Sequence, residues 1–139
     1  MELQSKKCFS LHLIVVFLLC SVLSHASHVA WQSDYESVRK QANQEYKNIL
    51  VFLIEEDTKE SNAIIKESFL NQKYIKDINK DFIAVIVRSH AKKSYPIELL
   101  YTTTYPALFF LSSEELFLCD PLEGIITPRK IVEKLSECH

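Results

Sequence analysis

Two of the four cysteines in this 139-residue chain lie near its C-terminus, where they could form a disulfide or a redox pair. Cys119 follows an apolar segment, and Cys138 is the penultimate residue. A disulfide requires Cα atoms roughly 4.4–6.8 Å apart, a distance that sequence spacing alone does not give. Three interpretations therefore stay open: a bridge that ties the last helix to the sheet, two separate thiols, or a displaced redox pair that exchanges with other thiols.

Two hydroxyl groups form a second candidate pair at the start of a predicted helix. Thr58 and Ser61 follow an apolar segment and stand one helical turn apart. Either Asp57 or Thr58 could be the N-cap, because its side-chain oxygen would accept hydrogen bonds from first-turn amides; Glu60 has capping-box spacing from Asp57. A hydroxyl is far less acidic than a thiol and forms no reversible disulfide. Thiol–disulfide exchange at these two residues is therefore excluded.

The N-terminal segment predicts export. Lys6 and Lys7 precede the apolar run Leu13–Leu23, which has the length of a signal-peptide core and is short for a membrane span. Small residues at the −3 and −1 positions predict cleavage after Ala26, giving a signal peptide over 1–26 and one domain over 27–139. We therefore expect membrane contact only through the signal segment before cleavage. The composition, rich in Lys, Ile and Asn, favours a bacterial periplasm over a eukaryotic secretory route.

Composition and charge exclude several function classes. A net charge of −2 supplies no concentrated positive field, so nucleic acid is not an expected partner. The histidines are scattered without the spacing of metal ligands, and we expect neither a metal nor another cofactor. Hydrophobic residues at 47% and charged residues at 24% are typical of a globular domain.

Apolar periodicity predicts an α/β domain with the element order α-β-α-β-loop-β-β-α. Helices are expected over Ser33–Lys47 with Ser33 as N-cap, Thr58–Asn71, Tyr74–Ile78, and Pro128–Glu137 with Thr127 as N-cap. Strands are expected over Ile49–Ile54, Phe82–Val87, Ala107–Leu111 and Leu116–Cys119. The first two strands should be parallel, and the last two should form a hairpin. The result is a mixed sheet of about four strands with helices on both faces. The last helix should turn three apolar side chains inward: Ile131, Val132 and Leu135.

This order, with a proline directly before the third strand, resembles the thioredoxin fold. Local segments are similar to an exported thioredoxin-like branch that includes the C-terminal domain of the periplasmic disulfide interchange protein and the anterior-gradient proteins. The segments that carry the likeness are Trp31, Ala42, Lys47, Glu67-Ser68-Phe69, Tyr74-Ile75, Asp81-Phe82-Ile83-Ala84-Val85 and Tyr105-Pro106-Ala107. The family places a Cys-x-x-Cys motif at the start of the second helix. This chain has Thr58-Lys59-Glu60-Ser61 in that window.

The resemblance implies a function as well as a fold. Tyr105-Pro106 would be the family's cis-proline loop, which presents backbone groups to an extended peptide. Without the cysteine pair, we expect an exported module that binds a peptide or protein partner, with Thr58, Ser61, Tyr105 and Pro106 at the binding site. Two alternatives stay open: a thiol–disulfide oxidoreductase that uses Cys119 and Cys138, and a structural subunit of an exported complex.

Overall fold

The computed structural model describes residues 27–90 and 95–138, so the predicted signal peptide over 1–26 lies outside the described residues. A five-stranded sheet forms the centre of the domain, with strand order β1-β3-β2-β4-β5. The first three strands run parallel, and the last two are antiparallel to their neighbours. The strands are β1 Trp31–Gln32, β2 Asn48–Ile54, β3 Phe82–Arg88, β4 Ala107–Leu111 and β5 Leu122–Glu123.

Helices cover both faces of this sheet, as predicted. They are α1 Tyr35–Glu45, α2 Lys59–Ser68, α3 Ile75–Asp81 and α4 Pro128–Glu137. Alternate residues of β2 point to opposite faces. Leu50 and Phe52 pack with residues of α3 and α4, while Ile49 and Val51 pack with residues of α1. The α/β three-layer architecture predicted from the sequence is confirmed.

The sheet differs from the prediction at both edges. Only an isolated bridge from Phe117 to Leu111 replaces the expected strand over Leu116–Cys119, and the added edge strand is β5. Leu116 and Phe117 are 62% and 49% exposed, so this segment lacks the buried face that would hold a full strand in register. The opposite edge strand, β1, was missed because two residues are too few for a recognisable alternation.

Two helix details also differ from the prediction. The N-cap of α1 is Asp34 rather than Ser33, and its carboxylate accepts a hydrogen bond from the Ser37 hydroxyl at 2.6 Å. Val132 on α4 is 51% exposed, whereas Ile131 is fully buried. Neighbouring residues on a helix point about 100° apart, and with Ile131 directed into the core Val132 points towards solvent.

The Cys119–Cys138 pairing is confirmed as a disulfide with a Cα–Cα distance of 5.3 Å. Cys138 is 3% exposed and belongs to the core cluster on the α3 and α4 side of the sheet, against which Cys119 also packs. The bridge therefore ties the end of α4 to the segment that follows β4.

A second long-range tie holds α1 against the turn after β4. The buried Tyr35 hydroxyl donates a hydrogen bond to Glu115 Oε1 at 2.9 Å, and Arg39 lies 4.0 Å from the other carboxylate oxygen. Burial first, and then the hydrogen bond to Glu115, raise the pKa of Tyr35 well above its ordinary value. The phenol therefore remains a neutral donor at physiological pH.

Replacing Tyr35 with Phe tests this tie. We expect Tyr35→Phe to lower the free energy of unfolding by about 1–2 kcal/mol, the contribution of a hydrogen bond to a charged acceptor that keeps some access to water. Urea unfolding followed by circular dichroism measures it. Tyr46→Phe is the matched control, because Tyr46 is 91% exposed and should leave the midpoint unchanged. Equal midpoints for Tyr35→Phe and the unmodified chain would contradict this role.

Removing both bridging cysteines tests the disulfide. The closed loop of about 20 residues predicts that Cys119→Ala/Cys138→Ala loses about 3 kcal/mol of unfolding free energy. Urea unfolding with and without a reductant measures the change. Reductant should lower the midpoint of the unmodified chain and leave that of the double variant where it is. A reductant effect of equal size on both proteins would mean that this bridge contributes nothing.

Candidate functional site

One end of the sheet brings together the residues singled out in the sequence. Leu53 near the end of β2 pairs with Ala107 at the start of β4, and Ile54 pairs with Arg88 at the end of β3. The segment leading into α2 and the dipeptide Tyr105-Pro106 therefore extend from neighbouring strand ends. We call this region, with Thr58, Ser61, Tyr105 and Pro106, the α2–Pro106 edge.

The hydroxyls of Thr58 and Ser61 are both engaged at the start of α2. Thr58 is the N-cap, and its Oγ1 accepts a hydrogen bond from the Ser61 amide at 3.1 Å. The two hydroxyl oxygens also lie 3.1 Å apart, and Ser61 is only 5% exposed. This geometry satisfies one of the free amides of the first turn. The pair therefore acts as a helix cap.

Asp57 is not the cap, because it forms an ion pair with Arg88. The guanidinium donates from Nε to one carboxylate oxygen at 3.0 Å and from Nη2 to the other at 2.9 Å. The capping box from Asp57 to Glu60 is therefore not formed. The bidentate pair instead links the segment before α2 to the end of β3, which fixes the entry of the chain into the helix.

The Tyr105–Pro106 peptide bond is cis, as the resemblance implied. The Pro106 carbonyl accepts a hydrogen bond from Gly124 at 2.8 Å, and Gly124 adopts a positive φ of 70°. On the preceding side, the buried Thr102 hydroxyl accepts from the Thr104 amide at 2.9 Å and lies 2.5 Å from Glu123 Oε1. These contacts attach the loop to β5 and hold it beside the start of β4.

Tyr95 belongs to this edge and was missed in the sequence, where Tyr95-Pro96 carried no signal beyond that of a loop. Its hydroxyl donates to the Ser89 carbonyl at 3.3 Å. Burial, followed by the charge that Tyr105 would carry, raises the pKa of Tyr95. Both tyrosines pack against the α1-side core. A second aromatic side chain therefore stands near Tyr105.

Three exposed apolar side chains lie in the segment before the loop or next to Gly124, which is hydrogen-bonded to it. Ile97, Tyr101 and Ile125 are 61%, 71% and 73% exposed. Ile97 and Tyr101 flank a turn in which the Leu100 amide bonds to the Pro96 carbonyl at 2.9 Å. Ile125 directly follows Gly124, which bonds to Pro106. Large exposed apolar groups that gather beside one loop are typical of a binding surface.

The disulfide lies away from this edge. Cys138 lines a cleft with Asn48 and Phe82, the first residues of β2 and β3. Thr58 follows the other end of β2, and a seven-residue strand spans roughly 20 Å. The structure therefore brings Thr58 and Ser61 to the same edge as Tyr105 and Pro106, and it does not bring Cys119 and Cys138 there.

Within residues 27–90 and 95–138, no group of three metal-ligating side chains is close enough to hold an ion. Over the same residues, no helix has the length and apolar character needed to cross a bilayer.

Comparison with solved structures shows a thioredoxin-like fold. The DsbH oxidoreductase matches 81% of this chain and 86% of its own at 15% identity, with a TM-score of 0.62. The C-terminal domain of DsbD from Neisseria meningitidis, in its oxidised form, matches 79% of this chain and 100% of its own at 15% identity, with a TM-score of 0.57. A chain in the complex of ferredoxin:thioredoxin reductase with thioredoxin f2 matches 79% of this chain at 12% identity and covers 94% of its own, with a TM-score of 0.56. At these identities the likeness concerns the fold alone.

Sequence comparison adds one relative. The FAS-associated factor 2-B of Xenopus laevis is 24% identical over 111 residues, which cover 78% of this chain and 25% of that protein. The chain thus spans about a quarter of the length of this relative. No family model matches the chain.

Replacing Thr58 tests the cap at the candidate site. We expect Thr58→Ala to lower the free energy of unfolding by about 1 kcal/mol, because a first-turn amide loses its acceptor. Hydrogen exchange at the Ser61 amide should speed up with it. Thr58→Ser keeps the accepting oxygen and should restore both values. Unchanged exchange in Thr58→Ala would contradict the assigned cap.

Proposed function

We propose that this protein is an exported thioredoxin-like module that binds an extended peptide or protein segment at the α2–Pro106 edge and performs no thiol–disulfide exchange there. The observation that carries the proposal is the hydrogen-bonded hydroxyl pair of Thr58 and Ser61 on the same edge as Tyr105-Pro106. An edge that presents a proline loop without a thiol can bind an extended chain, and it has no nucleophile with which to attack a disulfide.

The surroundings of the loop favour a partner with apolar side chains. Tyr105 is half-buried against the core, which positions its ring, and Ile97, Tyr101 and Ile125 extend the apolar surface outward. In this mode of binding, backbone groups of the loop would form hydrogen bonds that do not depend on the partner's sequence, whereas apolar contacts select among side chains. The partner is therefore proposed to be an extended segment rich in apolar residues.

A thiol–disulfide oxidoreductase that uses Cys119 and Cys138 is the second candidate. The existence of the disulfide favours it, as does the description of one structural neighbour as an oxidoreductase. The burial of Cys138 argues against attack at its own sulfur, because an incoming thiolate must reach a sulfur atom to exchange, whereas Cys119 is half-buried. The third candidate is a structural subunit of an exported complex, and no observation on the described residues favours it over the other two.

Binding to an unfolded polypeptide tests the proposed function. The probe is fluorescein-labelled α-lactalbumin whose cysteines have been reduced and carboxymethylated, so that it stays unfolded and offers no thiol. We expect the full chain to raise its fluorescence anisotropy, and Tyr105→Ala to weaken binding about tenfold by removing one large aromatic contact. Tyr46→Ala is the matched control and should bind like the unmodified chain, because Tyr46 is an exposed residue at the C-cap of α1, away from the α2–Pro106 edge.

Two outcomes would contradict this proposal. Equal binding by Tyr105→Ala, with its fold intact by circular dichroism, would exclude Tyr105 from the site. Reduction of insulin disulfides by the unmodified chain, abolished by Cys119→Ser or Cys138→Ser, would instead establish the oxidoreductase.

A further inference from the structure

A cleft lies at the opposite end of the sheet from the α2–Pro106 edge and is lined by other residues. It has a volume of about 440 Å³, within the range typical of ligand sites. The apolar part of its lining comes from Tyr74, Phe82, Val132 and Leu135, and Asp77 and Asp81 supply two carboxylates. We call it the α3–α4 cleft.

Val132 is the first sign that the cleft is more than a gap between helices. The apolar pattern of α4 predicted that this residue faces the core, yet 51% of its surface is exposed. It lines the α3–α4 cleft and also an adjoining, more open depression, and Tyr74 lines both. Part of the apolar surface of α4, at Val132, is therefore not buried in the core. It lines both the cleft and the depression.

Tyr74 provides a fixed aromatic wall. Its side chain is only 8% exposed, and its hydroxyl donates to the Ser68 carbonyl at 2.6 Å. The hydroxyl is therefore satisfied within the protein. What remains towards the cleft is ring surface, suited to apolar groups and to the face-on approach of a cation.

The charged side chains in the lining of the cleft are both carboxylates. No basic side chain belongs to its lining among the described residues. Asp77 has no ion-pair partner in the described part of the chain, while Asp81 lies 3.8 Å from Lys80, whose side chain is 79% exposed. Among the basic residues described nearby, Lys134 pairs with Glu137 at 2.7 Å and Arg129 with Glu133 at 3.3 Å. Lys73 and Lys76 are exposed outside the lining of the cleft, and Lys73 lines the adjoining depression.

Two helix C-termini add to this negative potential. Helix α3 ends at Asp81 and α4 at Glu137, and the cleft is lined by Phe82 and Cys138, the C-caps of the two helices. The C-terminal end of a helix carries partial negative charge on its last carbonyls and attracts cations. Two carboxylate residues, two aromatic residues and the C-caps of two helices therefore line one cleft.

We propose that the α3–α4 cleft binds a basic, apolar peptide segment of a partner protein, with a Lys or Arg side chain at Asp77 and an adjacent apolar side chain against Val132 and Tyr74. An anionic ligand would meet the two carboxylates, and a small inorganic cation would leave the apolar lining uncovered. A peptide that carries both kinds of side chain complements both features. This site is independent of the α2–Pro106 edge and uses other residues.

Three labelled peptides test the site on the full, disulfide-bonded chain. The probe is a fluorescein-labelled ten-residue peptide of alternating Leu and Lys, and its matched partners alternate Leu with Glu and Ser with Lys. We expect anisotropy to show binding of the Leu–Lys peptide that weakens with added salt. The Leu–Glu peptide lacks the cation and the Ser–Lys peptide lacks the apolar contact, so both should bind more weakly.

Single substitutions locate the binding. We expect Asp77→Asn to weaken Leu–Lys binding about fivefold, as for one partly exposed ion pair, and Val132→Ser to weaken it by a similar factor. Both residues are on the surface, so the fold should persist. Glu114→Gln removes one charge from an exposed turn outside the cleft, and Tyr105→Ala alters the other site; neither should change the affinity.

The proposal is overturned by any of three results. The first is no detectable binding of the Leu–Lys peptide. The second is equally tight binding of either matched peptide, which would show that binding does not require both a positive charge and apolar side chains. The third is an affinity for Asp77→Asn indistinguishable from that of Glu114→Gln, which would assign the binding to general surface charge.

Discussion

The burial of β2 on both faces is the constraint on which the rest of this structure depends. From Ile49 to Ile54 every side chain is at most 1% exposed, and both flanks of the strand are paired, one to β3 and the other to β4. A strand so enclosed has one register, because a slip by a single residue would exchange its two cores. Its ends therefore fix where α2 begins and where the loop before β4 must lie.

The two ends of the sheet therefore carry different residues and different stabilising contacts. At the end of β2, the Asp57–Arg88 ion pair and the Thr58 cap direct the chain into α2 beside Tyr105-Pro106. At the start of β2, α3 and α4 form a cleft, with Cys138 fixed to Cys119 beneath it. The disulfide belongs to the second end. The bridge therefore lies at the opposite end of the sheet from Tyr105-Pro106, beside which Thr58 caps α2.

The fold could be predicted because its main signals are local. The apolar runs at β2, β3 and β4 could only be buried strands, and Thr127-Pro128 marked the start of α4 correctly. The edge strands could not be predicted in this way, since β1 and β5 have two residues each and depend on their neighbours for pairing. Leu116–Cys119 had a strand's composition, but its pairing with β4 is limited to an isolated bridge between Phe117 and Leu111.

The contacts at the candidate site could not be predicted from the sequence. Thr58, Ser61, Tyr105 and Pro106 were named from a resemblance, and the strand register places them on one edge. The role of Asp57 depended on Arg88, which is distant in sequence, and no local pattern could choose between a cap and an ion pair. The α3–α4 cleft could not be predicted from local patterns either, because its carboxylates and Val132 come from helices that are far apart in the sequence.

The most direct test is to introduce cysteines at the helix cap. It tests the account that the α2–Pro106 edge has the architecture of a thiol–disulfide site but lacks the thiols. The measurement compares the rate of insulin reduction by dithiothreitol in the presence of the unmodified chain and of the variant Thr58→Cys/Ser61→Cys. The account predicts that the variant accelerates the reaction, because a helix N-terminus stabilises a thiolate, and that the unmodified chain does not differ from buffer. No gain in the variant, or equal acceleration by the unmodified chain, would contradict it.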